Sequence, residues 1–142
     1  MFLFPRPMAN DNTCDFSFSG LKTAVLYKLK SIRSVNDADR ERIAEAFEDA
    51  ARDIIVIKTR RALQKTNAKT FVVGGGVSAN TEIRNALKKL VTEEFPETEL
   101  FLPDASLTGD NAIMIGAAAY LRHAAGYKNG APMRAEGSLK VG

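Results

Sequence analysis

The chain has 142 residues, 45% of them hydrophobic and 26% charged, with a formal net charge of +3 and a pI of about 9.1. This is enough for one domain with a real core, ordinary for a soluble globular protein, and it permits an RNA partner without demanding one. A single cysteine, Cys14, excludes an internal disulfide and fits a cytosolic setting; no apolar run approaches the roughly 18–20 residues of a membrane span, and the apolar stretch in MFLFPRPM is too short for a signal peptide.

Residues 1–13, with Pro5 and Pro7, predict a leading loop. Cys14 reads as a small apolar side chain rather than a reactive or metal-bound thiol. Residues 15–19 alternate as D-F-S-F-S, which predicts a short half-buried strand with Phe16 and Phe18 on one face, ended by Gly20. A helix is expected over Leu21 to Ile32. Ser34 to Asp37 then supply a turn and a helix cap. A long helix follows from about Asp39 to Lys65, with an apolar stripe at Ile43, Phe47, Ala50, Ala51 and Ile54. Arg40, Glu41, Glu48 and Arg52 flank the stripe as a solvated face.

Residues 70–80 read TFVVGGGVSAN. An apolar run, Phe71 to Val73, enters three glycines, Gly74, Gly75 and Gly76, and the pattern then turns helical. Such a turn either cradles a phosphate or nucleotide, through close backbone approach and free N–H groups at a helix start, or is a plain connection. The spacing is neither a dinucleotide-binding fingerprint nor a Walker loop. Ile83, Ala86, Leu87, Leu90 and Val91 then mark an amphipathic helix closed by Pro96, and Leu100 to Leu102 a second strand ended by Pro103. A β-α-β unit of this kind has parallel strands and a right-handed crossover. Both strands end on one sheet edge, where ligands usually bind, so Asn80 and Asp110 are expected to face one crevice. Asn80 could hydrogen-bond a sugar or base. Asp110, in the run T-G-D-N-A, either caps the last helix, from about Asp110 to Ala125, or ligates a metal. Residues 126–142 predict a flexible tail.

The catalytic inventory is thin. The one histidine, His123, sits near the end of the last helix and reads as a partner of the helix dipole. There is no H-E-x-x-H pair, no cysteine cluster and no G-x-S-x-G elbow. By its residues the chain looks like part of a site.

Three stretches together, FPRPM with DFSFSGLKTAV, VVGGGVSAN with Ile83–Arg84 after it, and TGDNAIMIG, resemble the C-terminal part of the TsaD type of tRNA adenosine threonylcarbamoyltransferase, formerly described as an O-sialoglycoprotein endopeptidase. The resemblance runs from Phe4 to about Ala124 and points to the bacterial or organellar branch. It implies an α/β fold, a ribonuclease-H-like half of an actin-like, Hsp70-like ATPase architecture, with a mixed sheet and flanking helices; residues 14–125 would form this second lobe. It implies transfer of threonylcarbamoyl from its adenylate to N6 of the adenosine next to the anticodon. It implies Gly75, Gly76 and Asn80 as nucleotide-binding residues and Asp110 as ligand to iron or zinc. The implied partners are the threonylcarbamoyl-adenylate or an adenine nucleotide, tRNA, and TsaB- and TsaE-like proteins, in the cytoplasm. The family's H-x-x-x-H metal motif and two further nucleotide contacts have no match in this sequence. The chain is therefore expected to be a piece of a longer enzyme or the product of a split or truncated gene, inactive alone, poor at binding metal, and prone to self-association through an exposed apolar surface. A metallo-glycoprotease, a non-catalytic scaffold and a sugar kinase of the same fold are the alternatives.

Overall fold

A computed structural model describes residues 2–127. Its elements are helices α1 (Ser19–Ser31), α2 (Asp37–Thr66), α3 (Thr81–Glu94) and α4 (Ala112–Ala124), and strands β1 (Thr70–Val72) and β2 (Glu99–Phe101). Short 3₁₀ turns follow each strand, at Gly76–Ala79 and Ala105–Leu107. Contacts divide the chain into two compact units, Met1–Thr108 and Gly109–Gly142.

In the first unit α2 is the spine. Asn36 starts it, its side chain accepting from the Asp39 N–H at 2.8 Å, and Asn67 ends it in the left-handed conformation. Thirty residues at 1.5 Å each make it about 45 Å long. Its buried line is Ile43, Ala46, Ala50 and Ile54, which meets Leu21 of α1 and Phe4 of the leading loop. The expected stripe holds except at Phe47, which stays 37% exposed while Ala46 takes the place in the core. Ile55 and Val56, on the adjoining face, reach a second cluster built on Ile83, Leu87 and Leu90 of α3, with Phe71, Val73 and Phe95 packed against it.

The strands pair in parallel, Thr70 with Glu99, Phe71 with Leu100 and Val72 with Phe101. The β-α-β unit of the sequence is thus present. Phe71 and Val73 turn to the core, whereas Val72 and Phe101 are exposed. The protein is α/β as expected, but the described residues form a two-stranded parallel sheet rather than a mixed one.

The expected strand at 15–19 is not formed. Residues 14–18 have no regular structure, and Ser19 and Gly20 already belong to α1. Local polar side chains take the backbone instead: Thr13 N–H donates to Asp11 Oδ1 (3.0 Å), Asp15 N–H to Thr13 Oγ1 (3.2 Å) and Ser19 N–H to Ser17 Oγ (3.3 Å). Such bonds compete directly with a strand ladder. Phe16 and Phe18 pack edge to face on each other, centroids 5.6 Å apart. Gly20 does not stop a strand; it admits Pro7, whose Cγ would lie 3.2 Å from a Cβ at that position.

The leading loop is held by a basic face of α2. Lys58, 3% exposed, donates to Asp11 Oδ1 (2.5 Å) and the Thr13 carbonyl (3.0 Å). Arg61 and Lys65 donate to the carbonyls of Thr13 and Asn12. Arg6 reaches Asp53 through Nε and Nη2.

In the second unit, α4 carries Ile113, Met114, Ile115, Tyr120 and Leu121 exposed. His123 and Arg122 lie in its last turn, as a dipole partner should. Gly126 and Tyr127 of the expected tail are described; residues 128–142 lie outside the described residues.

The bond from Lys58 holds the Asp11 carboxyl down at about 2, below its ordinary 3.8. A depressed pKa stabilises the fold above the unfolded value and loses that contribution as pH falls through the folded one. Asp11→Asn, which also leaves the charged Lys58 with no carboxylate partner, is therefore expected to lower stability to urea at neutral pH. The gap from the parent chain should close as pH falls from about 4 towards about 2. A gap constant over that range would refute the assignment.

Candidate functional site

The turn after β1 is built by three devices. Gly75 has φ +86° and ψ 165°, a region open essentially to glycine alone. Ser78, 3% exposed, folds back so that its N–H (3.0 Å) and hydroxyl (2.7 Å) both donate to the Gly75 carbonyl. Asn80 then caps α3, its Oδ1 accepting from the Ile83 N–H at 2.9 Å. A Cβ at Gly74, Gly75 or Gly76 would meet nothing within 4 Å, so all three stand against open space. The combination of an open glycine backbone and a helix start favours an anionic group.

Two side chains that the sequence left out of the site organise it. Glu48 of α2, expected on a solvated face, is half-buried, and its Oε1 accepts from Asn80 Nδ2 at 2.5 Å. The Asn80 amide is thereby fixed at both ends, with one N–H and one oxygen lone pair left for a ligand. Arg84, one turn into α3, donates from Nη1 to the Ser78 carbonyl and from Nη2 to the Pro103 carbonyl, each at 2.8 Å. It ties the loop after β1 to the loop after β2 at one edge of the sheet. Its position four residues after the capping asparagine is the only sequence signal for this; nothing in the sequence pointed to Glu48.

Behind the turn lies a largely apolar cavity of about 520 Å³. Phe16, Phe18, Ile55, Phe71 and Val77 line it, with Gly74 at its margin and Lys58 as its one charged wall.

Gly75, Gly76 and Asn80 thus fall in one turn of the first unit. Asp110 falls in the second unit and is exposed there. It is not the helix cap. Asn111 fills that role, its Oδ1 accepting from the Met114 N–H at 2.9 Å. No hydrogen bond or ion pair engages the Asp110 carboxylate among the described residues. These residues do not by themselves make a metal site: no group of three or more His, Cys, Asp or Glu converges among the described residues, and the sequence holds one histidine.

A parallel β-α-β unit with a glycine turn and a capped helix at its strand ends defines an α/β protein of the kind that takes ligands at that edge. The chain belongs to the TsaD family, tRNA N6-adenosine threonylcarbamoyltransferase, whose model matches residues 1–117. It is 40% identical over 124 residues to the tRNA N6-adenosine threonylcarbamoyltransferase of Lacticaseibacillus casei, covering 87% of this chain and 36% of that protein. The proteins of the same name from Lactobacillus johnsonii and Listeria monocytogenes are 39% and 38% identical, covering 99% and 97% of this chain and 41% and 40% of theirs. The chain thus spans about two fifths of the length of these relatives.

Gly75→Ala is expected to destabilise the first unit by about 1–3 kcal/mol, the cost of forcing a side chain into that backbone region. Gly74→Ala should change little, because nothing crowds it and its φ is not positive. Urea unfolding of both variants checks this, and equal effects would remove the argument. Arg84→Ala should speed amide hydrogen exchange in both 74–80 and 103–108; acceleration of one loop alone would show that Arg84 does not tie them.

Proposed function

We propose that this chain supplies one wall of the site in which threonylcarbamoyl passes from its adenylate to N6 of the adenosine next to the anticodon of tRNA, as the second lobe of an actin-like, ribonuclease-H-like enzyme. The observation that carries the reading is the turn itself: glycine backbone open to a ligand, Gly75 held by Ser78, and an Asn80 amide oriented by Glu48 with hydrogen-bonding capacity to spare. Gly75 and Gly76 would receive the adenylate phosphate on their backbone, and Asn80 would hydrogen-bond the nucleotide. The apolar cavity beside Gly74 suits a flat ring better than a second charged group.

Asp110 is the residue proposed to donate to a divalent metal, iron or zinc. The reading is supported by Asn111 having taken the capping role, which leaves the Asp110 carboxylate uncommitted. A carboxylate of this kind suits either ion, but the two histidines that the resemblance implies beside it have no counterpart in this sequence. Alone, the chain is therefore proposed to lack transferase activity and to bind metal weakly. Self-association through exposed apolar residues, TsaB- and TsaE-like partners and a cytoplasmic setting complete the proposal. No helix among the described residues is long and apolar enough to cross a membrane.

The test uses the full-length relative from Lactobacillus johnsonii, altered at the positions aligned with Asn80 and Asp110. Alanine at either is expected to lower formation of threonylcarbamoyladenosine at least about tenfold, the scale of one lost charge-assisted contact. Unchanged tRNA modification in both would favour a scaffold. Cleavage of a glycoprotein without tRNA modification would favour the peptidase reading. Transfer by the purified 142-residue chain, given the adenylate, would overturn the proposal that it is inactive alone.

A further inference from the structure

The basic residues of the first unit divide into two groups. Arg6 pairs with Asp53, Arg52 with Asp49 and Asp53, Lys58 with Asp11, and Arg60 with Glu94. Arg61, Lys65 and Arg84 are taken up by backbone carbonyls. These cations hold the fold together. The second group has no acidic partner among the described residues: Lys22, Lys28 and Lys30 on α1 and Arg33 just after it, Arg40 and Arg42 on α2, Lys69, and Lys88 and Lys89 on α3, so that α1 and its end carry the largest share. From Phe16 to Asn36 there is no aspartate or glutamate, although the chain has 17, and the stretch carries Lys22, Lys28, Lys30 and Arg33. Lys28 sits over the Phe2 ring at 4.4 Å. Lys22, Lys30 and Arg33 are exposed and have no acidic partner among the described residues.

Helix geometry puts Lys22, Leu26 and Lys30 in one row, with Thr23 and Tyr27 in the next. Leu21, Ala24 and Val25 point the other way, into the cluster shared with α2. Lys22 and Lys30 are about 12 Å apart along the axis, a reach of several phosphates on a nucleic-acid strand. Between them stands Tyr27, 66% exposed, an amphipathic ring able to stack on a base or sugar. A membrane surface fits this face less well. A helix that lies in a membrane presents a broad apolar side outward; on α1, Leu21, Ala24 and Val25 are turned to the cluster with α2, and the exposed Leu26 and Leu29 stand between lysines rather than on one apolar side.

We propose that the outward face of α1, with Lys22 and Lys30 around Tyr27 and Arg33 just beyond the helix end, is a docking surface for the phosphate backbone of RNA, carried on a different element from the glycine turn. The identity of the RNA as tRNA rests on the function proposed above; the phosphate chemistry of the face does not.

The experiment measures binding of the 142-residue chain to a labelled tRNA transcript by fluorescence anisotropy across a salt series. The parent chain is compared with Lys22→Glu, Lys30→Glu and Arg33→Glu combined. A second set carries Gln at the same positions, so that charge loss is read without charge reversal. Lys88→Glu with Lys89→Glu on α3 is the control, and thermal unfolding of each variant reports on folding. The Glu set should weaken binding at least about tenfold, the Gln set less. The slope of log affinity against log salt should flatten by about two units, as for the loss of three phosphate contacts. The α3 control should stay within about twofold of the parent.

Absence of binding by the parent chain would overturn the proposal. So would unchanged binding in the Glu and Gln sets, an equal loss in the α3 control, or binding to phosphatidylserine vesicles in place of RNA. The measurement needs no transfer chemistry. Failure of transferase activity in the longer relatives would leave an α1-dependent RNA affinity standing, and loss of that affinity would leave the nucleotide turn untouched.

Discussion

Everything in the first unit hangs on α2 being apolar on more than one side. A two-stranded parallel sheet cannot cover itself, and a parallel pair normally requires helices packed on it. Here α2 supplies both jobs at once. Ala50 and Ile54 fill the cluster with α1 and Phe4, while Ile55 and Val56 on the adjacent face meet α3 and the strand residues Phe71 and Val73. From Ala51 to Leu63 no residue of the helix is fully exposed. Its charged residues in that span therefore cannot simply face water. They are resolved into ion pairs with Asp53, Asp11 and Glu94, and Arg60 grips Glu94 through two bonds of 2.7 Å. That fork holds the Glu94 carboxyl below the usual range and fastens the end of α3 to α2.

The same helix explains why the turn after β1 has a defined shape despite its glycines. Three consecutive glycines cost conformational entropy on ordering. The turn is short of side chains of its own, so order is imposed from outside: Ser78 folds back on Gly75, Glu48 of α2 reaches Asn80, and Arg84 of α3 reaches Ser78. Arg84 also reaches Pro103, so one guanidinium sets the relation between the two loops that leave the parallel strands. A guanidinium fork suits this task because its donors diverge in a fixed plane.

The sequence made legible those features whose causes are local and periodic. α2 is marked by the capping run Ser34 to Asp37, α2 and α3 by apolar spacing, and the β-α-β unit by two apolar runs bounded by glycine and proline. The segment 15–19 misled because alternation alone does not make a strand. Asp11, Thr13 and Ser17 satisfy nearby N–H groups within two residues, and the run then continues straight into α1. Asp110 and Asn111 are adjacent acceptors in one loop, and spacing could not decide which of them caps α4; the bond to Met114 decides it. Glu48 was illegible for a different reason. Its role depends on a contact 32 positions away, and on the helix surface it looks like any other solvated glutamate.

The net charge of +3 carries little information beside the distribution of charges. A lysine at 3% exposure such as Lys58 is tolerated only because a carboxylate and a carbonyl meet its ammonium; removing either partner leaves a desolvated charge, which is why such pairs are structural rather than available to ligands. The cations of α1 obey the opposite condition. They are exposed, they have no acidic neighbour in sequence from Phe16 to Asn36, and burial of the opposite face of the helix turns Lys22 and Lys30 to one side. Repulsion between Lys22 and Lys30, about 12 Å apart along the helix, is weak in water, so the fold tolerates their company without a compensating anion. A patch of that kind gains most when a polyanion replaces its counterions. The distinction between a committed and an uncommitted cation therefore follows from burial and partners, and residue type alone does not reveal it.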